Sequence, residues 1–272
     1  MKIYLLVGKC PLAPIVVGNL AKTGLVEGIF VERGYIRGGN AISLFLNLVR
    51  RSGWRFALAE TISVLASWIF HRLKKVLGIN KLPLVSDFPG AVFVKDVHDE
   101  KFLTQLRGLD ADLLVMARYN RVVSSKLMDI PRLGTLNCHT GLLPSYRGLS
   151  STFHSLNRDA AHVGATIHKA VPKIDGGAVY RQRATCVETG ESLFAHELMV
   201  YQCAGETLRG YLEEIAGETA GPPRLDPYDG RPEGNRSGNY YTWPTSREVD
   251  EFLKSGKKLW RFRDFATLWR IL

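Results

Sequence analysis

Two stretches decide the fold: Asp112-Leu113-Leu114-Val115-Met116-Ala117, and Gly134-Thr135-Leu136-Asn137-Cys138-His139 further on. The first is a short apolar run, the pattern of a strand buried on both faces, and the second carries a strand into a polar loop. Between them 124–128 suits a short helix, stopped near Pro131. The alternation extends upstream. Residues 2–7 read as a buried strand ended by Gly8, 11–21 as a helix, 28–32 and 91–94 as further strands, and 100–106 as a helix. Strands alternating with helices over the first 140 or so residues predict a Rossmann-like α/β fold, with a mostly parallel sheet and helices on both faces. In such sheets ligands sit beyond the carboxyl ends of the strands. That places the expected site at residues 137–150.

Downstream, 165–171 alternates as a strand should, Ile174-Asp175-Gly176-Gly177 is a turn, and 178–183 is a returning strand. Residues 192–215 read as a long helix capped by Ser192, with an apolar stripe through Leu193, Leu198, Tyr201, Leu208 and Leu212. After Gly217 the composition shifts. Residues 221–238 are dense in Gly, Pro, Asp and Arg and read as a surface loop. Thr245-Ser246-Arg247-Glu248 is a capping box. Trp260, Phe262, Phe265, Leu268 and Trp269 are expected to pack on the main domain or a partner chain. The expected organisation is a catalytic domain over 1–217, with a helical insertion at 40–80, followed by a loop and a short C-terminal appendage over 218–272.

The insertion leaves two readings open. Residues 57–70 are apolar on more than one face and run into His71-Arg72-Leu73-Lys74-Lys75. The helices are expected either to pack on the core or a second subunit, as in a homodimer, or to lie on a membrane surface. Hydrophobic residues make up 46% of the chain, which excludes a disordered chain. No apolar run reaches the ~20 residues of a bilayer span. The N-terminal apolar run is too short for a signal peptide, so a cytoplasmic location is expected. Cys10, Cys138, Cys186 and Cys203 form no CxxC pair, so inert or buried thiols are expected and no metal site. The net charge of +10 is spread along the chain, which favours anionic small substrates over a nucleic-acid patch.

The densest polar cluster is Asn137-Cys138-His139-Thr140-Gly141-Leu142-Leu143-Pro144-Ser145-Tyr146-Arg147-Gly148. Two residues apart on a strand, Asn137 and His139 point to one face. An amide and an imidazole there can hold a developing oxyanion, and the imidazole can move a proton. A carboxylate that orients the His would complete the set, and Asp175 is a candidate. From spacing alone the pair equally suits a capped turn, and Asp175 an ordinary turn residue.

Asn137-x-His139-x-x-x-Leu143-Pro144, then Gly148, then Ile174-Asp175-Gly176-Gly177 resemble the signature of the 10-formyltetrahydrofolate-dependent formyltransferases. The resemblance spans about residues 90–215. It implies Asn137, His139 and Asp175 as the catalytic trio and 10-formyltetrahydrofolate as co-substrate, without a metal. It also implies a folate site at Met116, Ala117, Arg118, Tyr119, Val122, Leu143 and Ile174, partly through backbone groups. Tyr146, Arg147 and Gly148 would meet the acceptor or the folate. Arg118 and Arg121 are candidates for the folate glutamate tail. His168 lies either near the site or satisfied in the core, and His154 reads as structural.

The chain departs from the family at Gly8-Lys9-Cys10-Pro11, which lacks the Gly-Ser-Asn phosphate loop of glycinamide ribonucleotide enzymes. Tyr240-Tyr241-x-Trp243-Pro244 resembles the aromatic segment of sugar formyltransferases. The acceptor expected is therefore a small-molecule amine, such as a nucleotide-linked amino sugar. A formyltetrahydrofolate hydrolase, a glycinamide ribonucleotide enzyme and a non-catalytic folate- or anion-binding protein remain as alternatives.

Overall fold

The computed structural model describes residues 1–18, 20, 23–32, 41–88, 90–217 and 239–272. Seven strands form the main sheet: β1 (Ile3–Gly8), β2 (Val26–Glu32), β3 (Ala91–Val94), β4 (Leu113–Ala117), β5 (Thr135–His139), β7 (His162–Lys169) and β8 (Val179–Cys186). Their order is β3-β2-β1-β4-β5-β7-β8. The first five run parallel, and β7 and β8 join antiparallel at one edge. The fold is the mostly parallel α/β sheet that the strand–helix alternation predicts.

Side-chain alternation divides the sheet between two cores. Leu5, Val7, Val115 and Ala117 pack towards α1 (Ala13–Val17) and α7 (Leu193–Gly217). Leu6, Leu114 and Met116 face the other way, towards Phe102 and Leu106 of α4 (Glu100–Gly108) and Leu127 of α5 (Ser125–Met128). Strand order reverses at β1, which has β2 on one side and β4 on the other. A crevice opens at such a reversal. Here it lies beyond Gly8, Ala117 and His139.

The first helix is shorter than expected: Pro14 seats its first turn and Gly18 closes it. Ser192 caps α7, accepting from the Ala195 amide at 3.0 Å, and donates to Asp264 Oδ2 at 2.6 Å. The capping box at Thr245 opens α8 (Ser246–Lys254). In α9 (Phe262–Ile271) Leu268 joins the main core, as does the following Leu272. Phe262, expected to pack, is instead 87% exposed. Cys10, Cys138 and Cys203 are buried, while Cys186 is exposed. The loop expected at 221–238 lies outside the described residues. Among those residues, no helix is long and apolar enough to cross a membrane.

One pairing was not anticipated. β6 (Tyr146–Gly148) pairs in parallel with β9 (Asn239–Tyr241), so the C-terminal segment returns to the loop after β5. Gly148 has φ +95°, and a Cβ there would strike the Tyr241 carbonyl. The insertion forms two helices, α2 (Ala41–Ser52) and α3 (Trp54–Val76). Phe56 joins a third core with Phe153 of α6 (Ser151–Asn157) and Phe252 of α8.

The backbone of α1 approaches α7 closely. A Cβ on Gly205 would lie 2.8 Å from the Val16 carbonyl oxygen and 2.9 Å from that of Ile15. Gly205→Ala is expected to lower stability by about 1–3 kcal/mol through overpacking. Urea unfolding checks this, and an unchanged midpoint would show that the approach contributes nothing.

Candidate active site

Asn137 and His139 leave β5 on one face, as their spacing requires. The antiparallel partner β7 sets His168 opposite Asn137. The turn between β7 and β8 then delivers Asp175, which sits at φ +47° in the left-handed region. Its carboxylate is the meeting point. Oδ2 accepts from the Gly148 amide at 2.7 Å and lies 3.6 Å from His139 Nδ1. Oδ1 lies 3.4 Å from His168 Nε2 and accepts from Asn137 Nδ2 at 3.3 Å. Asn137 Nδ2 also donates to His168 Nε2, at 3.1 Å. His168 Nδ1 faces the Lys169 carbonyl at 2.9 Å.

Burial opposes the charge on Asp175, but His139, His168 and the Gly148 amide outweigh it, so the carboxyl titrates well below its usual range. Burial is also the largest influence on His139 and lowers its pKa. The Asp175 charge and the Tyr146 carbonyl, 2.8 Å from Nε2, pull the other way. Burial favours the neutral imidazole, although both ring nitrogens face acceptors. Any new negative charge nearby favours its protonation.

Two cavities meet at this cluster, and Asn137, His139 and Gly148 line both. The first holds about 800 Å³. Met116, Tyr119, Val122 and Ile174 line it, together with Tyr240 from the C-terminal segment. The second holds about 710 Å³ and is lined by Glu60, Arg118, Glu197, Tyr201 and Trp243, among others. Ala117 and Leu143, expected at the folate, are fully buried and line neither cavity. Arg118, expected at the folate, lines the second cavity, where its guanidinium stacks 4.3 Å over the Tyr201 ring. Arg147 donates to the Ile174 carbonyl from Nε and Nη2, at 3.1 and 2.6 Å, clamping the turn that carries Asp175. Tyr146 stacks on Tyr241. Arg121 is ion-paired with the buried Glu32, which also accepts from the Tyr119 hydroxyl at 2.6 Å. Glu32 therefore anchors the wall of the first cavity. His154 bonds the Thr242 carbonyl at 2.9 Å, a structural role.

Glu60 and Glu197 escaped the sequence reading, although each carried a signal. Glu60 is the one acidic residue between 41 and 81. Glu197 stands four residues from both Leu193 and Tyr201, inside the apolar stripe of α7. Burial raises the Glu60 pKa to about 7, against the pull of Arg118. Burial, then the neighbouring Glu60, raises that of Glu197 well above the ordinary range.

The Formyl transferase family model matches residues 82–201, the stretch that holds β4, β5 and the Asp175 turn. This segment belongs to the formyltransferase superfamily. The methionyl-tRNA formyltransferase of Thermotoga maritima is 30% identical over 121 residues, which are 44% of this chain and 39% of that one. The matched region thus spans well under half of that relative's length. Two solved structures share the fold. Phosphoribosylglycinamide formyltransferase from Bacillus halodurans superposes with a TM-score of 0.51 at 16% identity, covering 80% of this chain and 96% of the other. A sugar N-formyltransferase from Shewanella sp FDAARGOS_354 superposes with a TM-score of 0.52 at 18% identity, covering 100% and 88%. The formyltransferase segment contains Asn137, His139, His168 and Asp175 but not Glu60, which lies upstream of it on α3.

A carboxyl whose folded pKa is depressed stabilises the fold above its ordinary value of 3.8 and loses that contribution as pH falls below it. The wild-type protein is therefore expected to lose more stability than Asp175→Asn between neutral pH and about pH 2. The same substitution should lower the His139 pKa further, as read by imidazole NMR. Parallel stability profiles and an unmoved His139 titration would contradict this electrostatic contact.

Proposed function

We infer that the chain transfers the formyl group of 10-formyltetrahydrofolate to the primary amine of a small molecule, with Asn137, His139 and Asp175 as the catalytic residues. One observation carries the reading: the trio stands in the wall where two cavities meet. A transferase needs a donor and an acceptor in contact at one reacting point. A hydrolase, whose second reactant is water, has no use for a second lined cavity at the reacting point. The first cavity suits the flat, largely apolar donor, with Met116, Val122 and Ile174 against its faces and backbone groups at its rim. The bound donor supplies the activated formyl carbon.

The chain's own groups account for the remaining chemistry. As the amine attacks, negative charge grows on the formyl oxygen. Asn137 can exchange its 3.3 Å bond to Asp175 for that oxygen. His139, neutral at rest, gains basicity from the same charge and takes up the proton that the amine releases. Asp175 remains ionised throughout and stabilises the imidazolium. The proton then passes to the departing folate nitrogen as the carbon–nitrogen bond breaks.

The second cavity describes the acceptor. Glu60 and Glu197 suit hydroxyl groups or an ammonium, and Arg118 is the group in that wall suited to a phosphate. An amino sugar, linked to a nucleotide through phosphate, meets all three. Its amine must lose a proton before attack, and a carboxyl titrating near 7 can accept one.

Incubation with 10-formyltetrahydrofolate and a panel of primary amines, followed by tetrahydrofolate release, tests the reading. Release should require an amine. His139→Ala and Asp175→Ala should each lower kcat by about 10²–10⁴-fold while a folate analogue still binds. Equal release of formate without amine would make the protein a hydrolase. Near-normal turnover in either variant would remove the trio. With an accepted amine in hand, Glu60→Gln should raise its KM by about tenfold or more, with donor affinity unchanged. An equal KM would place the acceptor elsewhere.

A further inference from the structure

Helix α3 is turned inside out. Beyond Phe56 and Ala57 at its start, its buried positions are Ala59, Ser63, Ser67, His71 and Lys74, a face of small and polar side chains. The opposite face carries Leu58, Leu65, Ile69, Leu73 and Val76, all exposed. These residues recur at steps of three, four and seven, so they form one stripe along the helix. Trp54 and Trp68 flank the stripe, and Val76 is 83% exposed. Helix α2 adds Ile42 and Leu46, also exposed. The buried face does not need the apolar one. Ser63 and Ser67 donate to the carbonyls of Ala59 and Ser63, and His71 bonds the Pro11 carbonyl at 2.8 Å. A stripe this long and this apolar on the outside requires a partner.

Charge selects the partner. Residues 41–81 hold seven lysines and arginines, of which Lys74 alone is buried, and one acidic residue, Glu60, which points into the acceptor-side cavity rather than outward. Asp87 and Asp250 pair with Lys75 and Arg55, and the surface still keeps an excess of positive charge. Arg72 lies over the Trp68 ring at 4.5 Å, at the margin of the stripe. An isologous contact with a second copy would set this positive rim against itself. An apolar stripe edged by tryptophan and by basic side chains instead matches a helix lying in the interface of an anionic bilayer.

We propose that α3 docks the protein on anionic lipid, with Leu58, Leu65, Ile69, Leu73 and Val76 in the acyl boundary and the basic residues among the headgroups. The helix lies along the surface, at right angles to a membrane-spanning orientation. Glu60 on its inner side keeps the acceptor cavity on the same element as the docking face.

Sedimentation of the full chain with vesicles tests this. One set is phosphatidylcholine alone, and the other contains about a third phosphatidylglycerol. Wild-type protein should pellet with the anionic vesicles and be released by salt. Leu65→Glu with Ile69→Glu should reduce the bound fraction by about tenfold without changing the melting temperature. Arg50→Glu with Arg72→Glu should weaken binding to the anionic set. Wild-type protein that stays in the supernatant with anionic vesicles overturns the proposal. If it also runs as a dimer that Leu65→Glu with Ile69→Glu splits, the face belongs to a second copy. Equal binding to both vesicle sets refutes the electrostatic half and leaves no basis for preferring lipid.

Discussion

The Asp175 carboxylate holds the site together. It collects an amide from β6, a side-chain amide from β5, and two imidazoles from β5 and β7. A buried charge with four such partners recovers its desolvation cost, whereas one with fewer would neutralise. The turn carrying it depends in turn on Arg147, and the loop carrying Arg147 depends on β9. The C-terminal segment, which reads as an appendage, is therefore part of the scaffold that positions the carboxylate.

Burial works in opposite directions on the two sides of the trio. On Asp175 it is overcome, and the charge stays. On Glu60 and Glu197 it wins, raising the first to about 7 and the second well above the ordinary carboxylate range. His139 lies between these cases, with its pKa depressed by burial while facing a permanent anion. A group balanced in this way responds to small changes in neighbouring charge, which general acid–base chemistry requires. Glu60 and Glu197 respond likewise, because a cation placed beside them would favour their charged forms.

The sheet was legible because its inner strands are buried on both faces and read as short apolar runs between turn residues; β4 follows that pattern throughout, while β5 alternates Leu136 and Cys138 with polar residues. Asn137 and His139 were legible because strand alternation places them together. The relation of Asp175 to them depends on a turn 36 residues beyond His139, and only the resemblance joined them. Arg118 was assigned to the folate because it follows β4. Its φ of +51° and its stacking on Tyr201 turn it into the other cavity. Glu32 gave no local signal, since its partners, Tyr119 and Arg121, lie far along the chain. The β6–β9 pairing was hidden because three-residue strands carry no periodicity.

The insertion shows why apolar periodicity alone could not assign its partner. A helix with an ordinary core face and a polar outer face declares its orientation. Helix α3 does not, because beyond Phe56 its inner face is built from alanine, serine, histidine and one lysine, while its outer face has the composition of a core. Small inner residues let the helix approach α9 and the first loop closely, and its serines satisfy their hydroxyls within the helix itself. The attachment to the domain is thus made by close contact and hydrogen bonds, and the large apolar side chains are left over. Had they served only to stabilise this chain, they would face inward, where each contributes about 1.5–3 kcal/mol. Their position outside assigns that free energy to a contact beyond the chain, and the one-sided positive charge of the same segment directs the contact to an anionic surface.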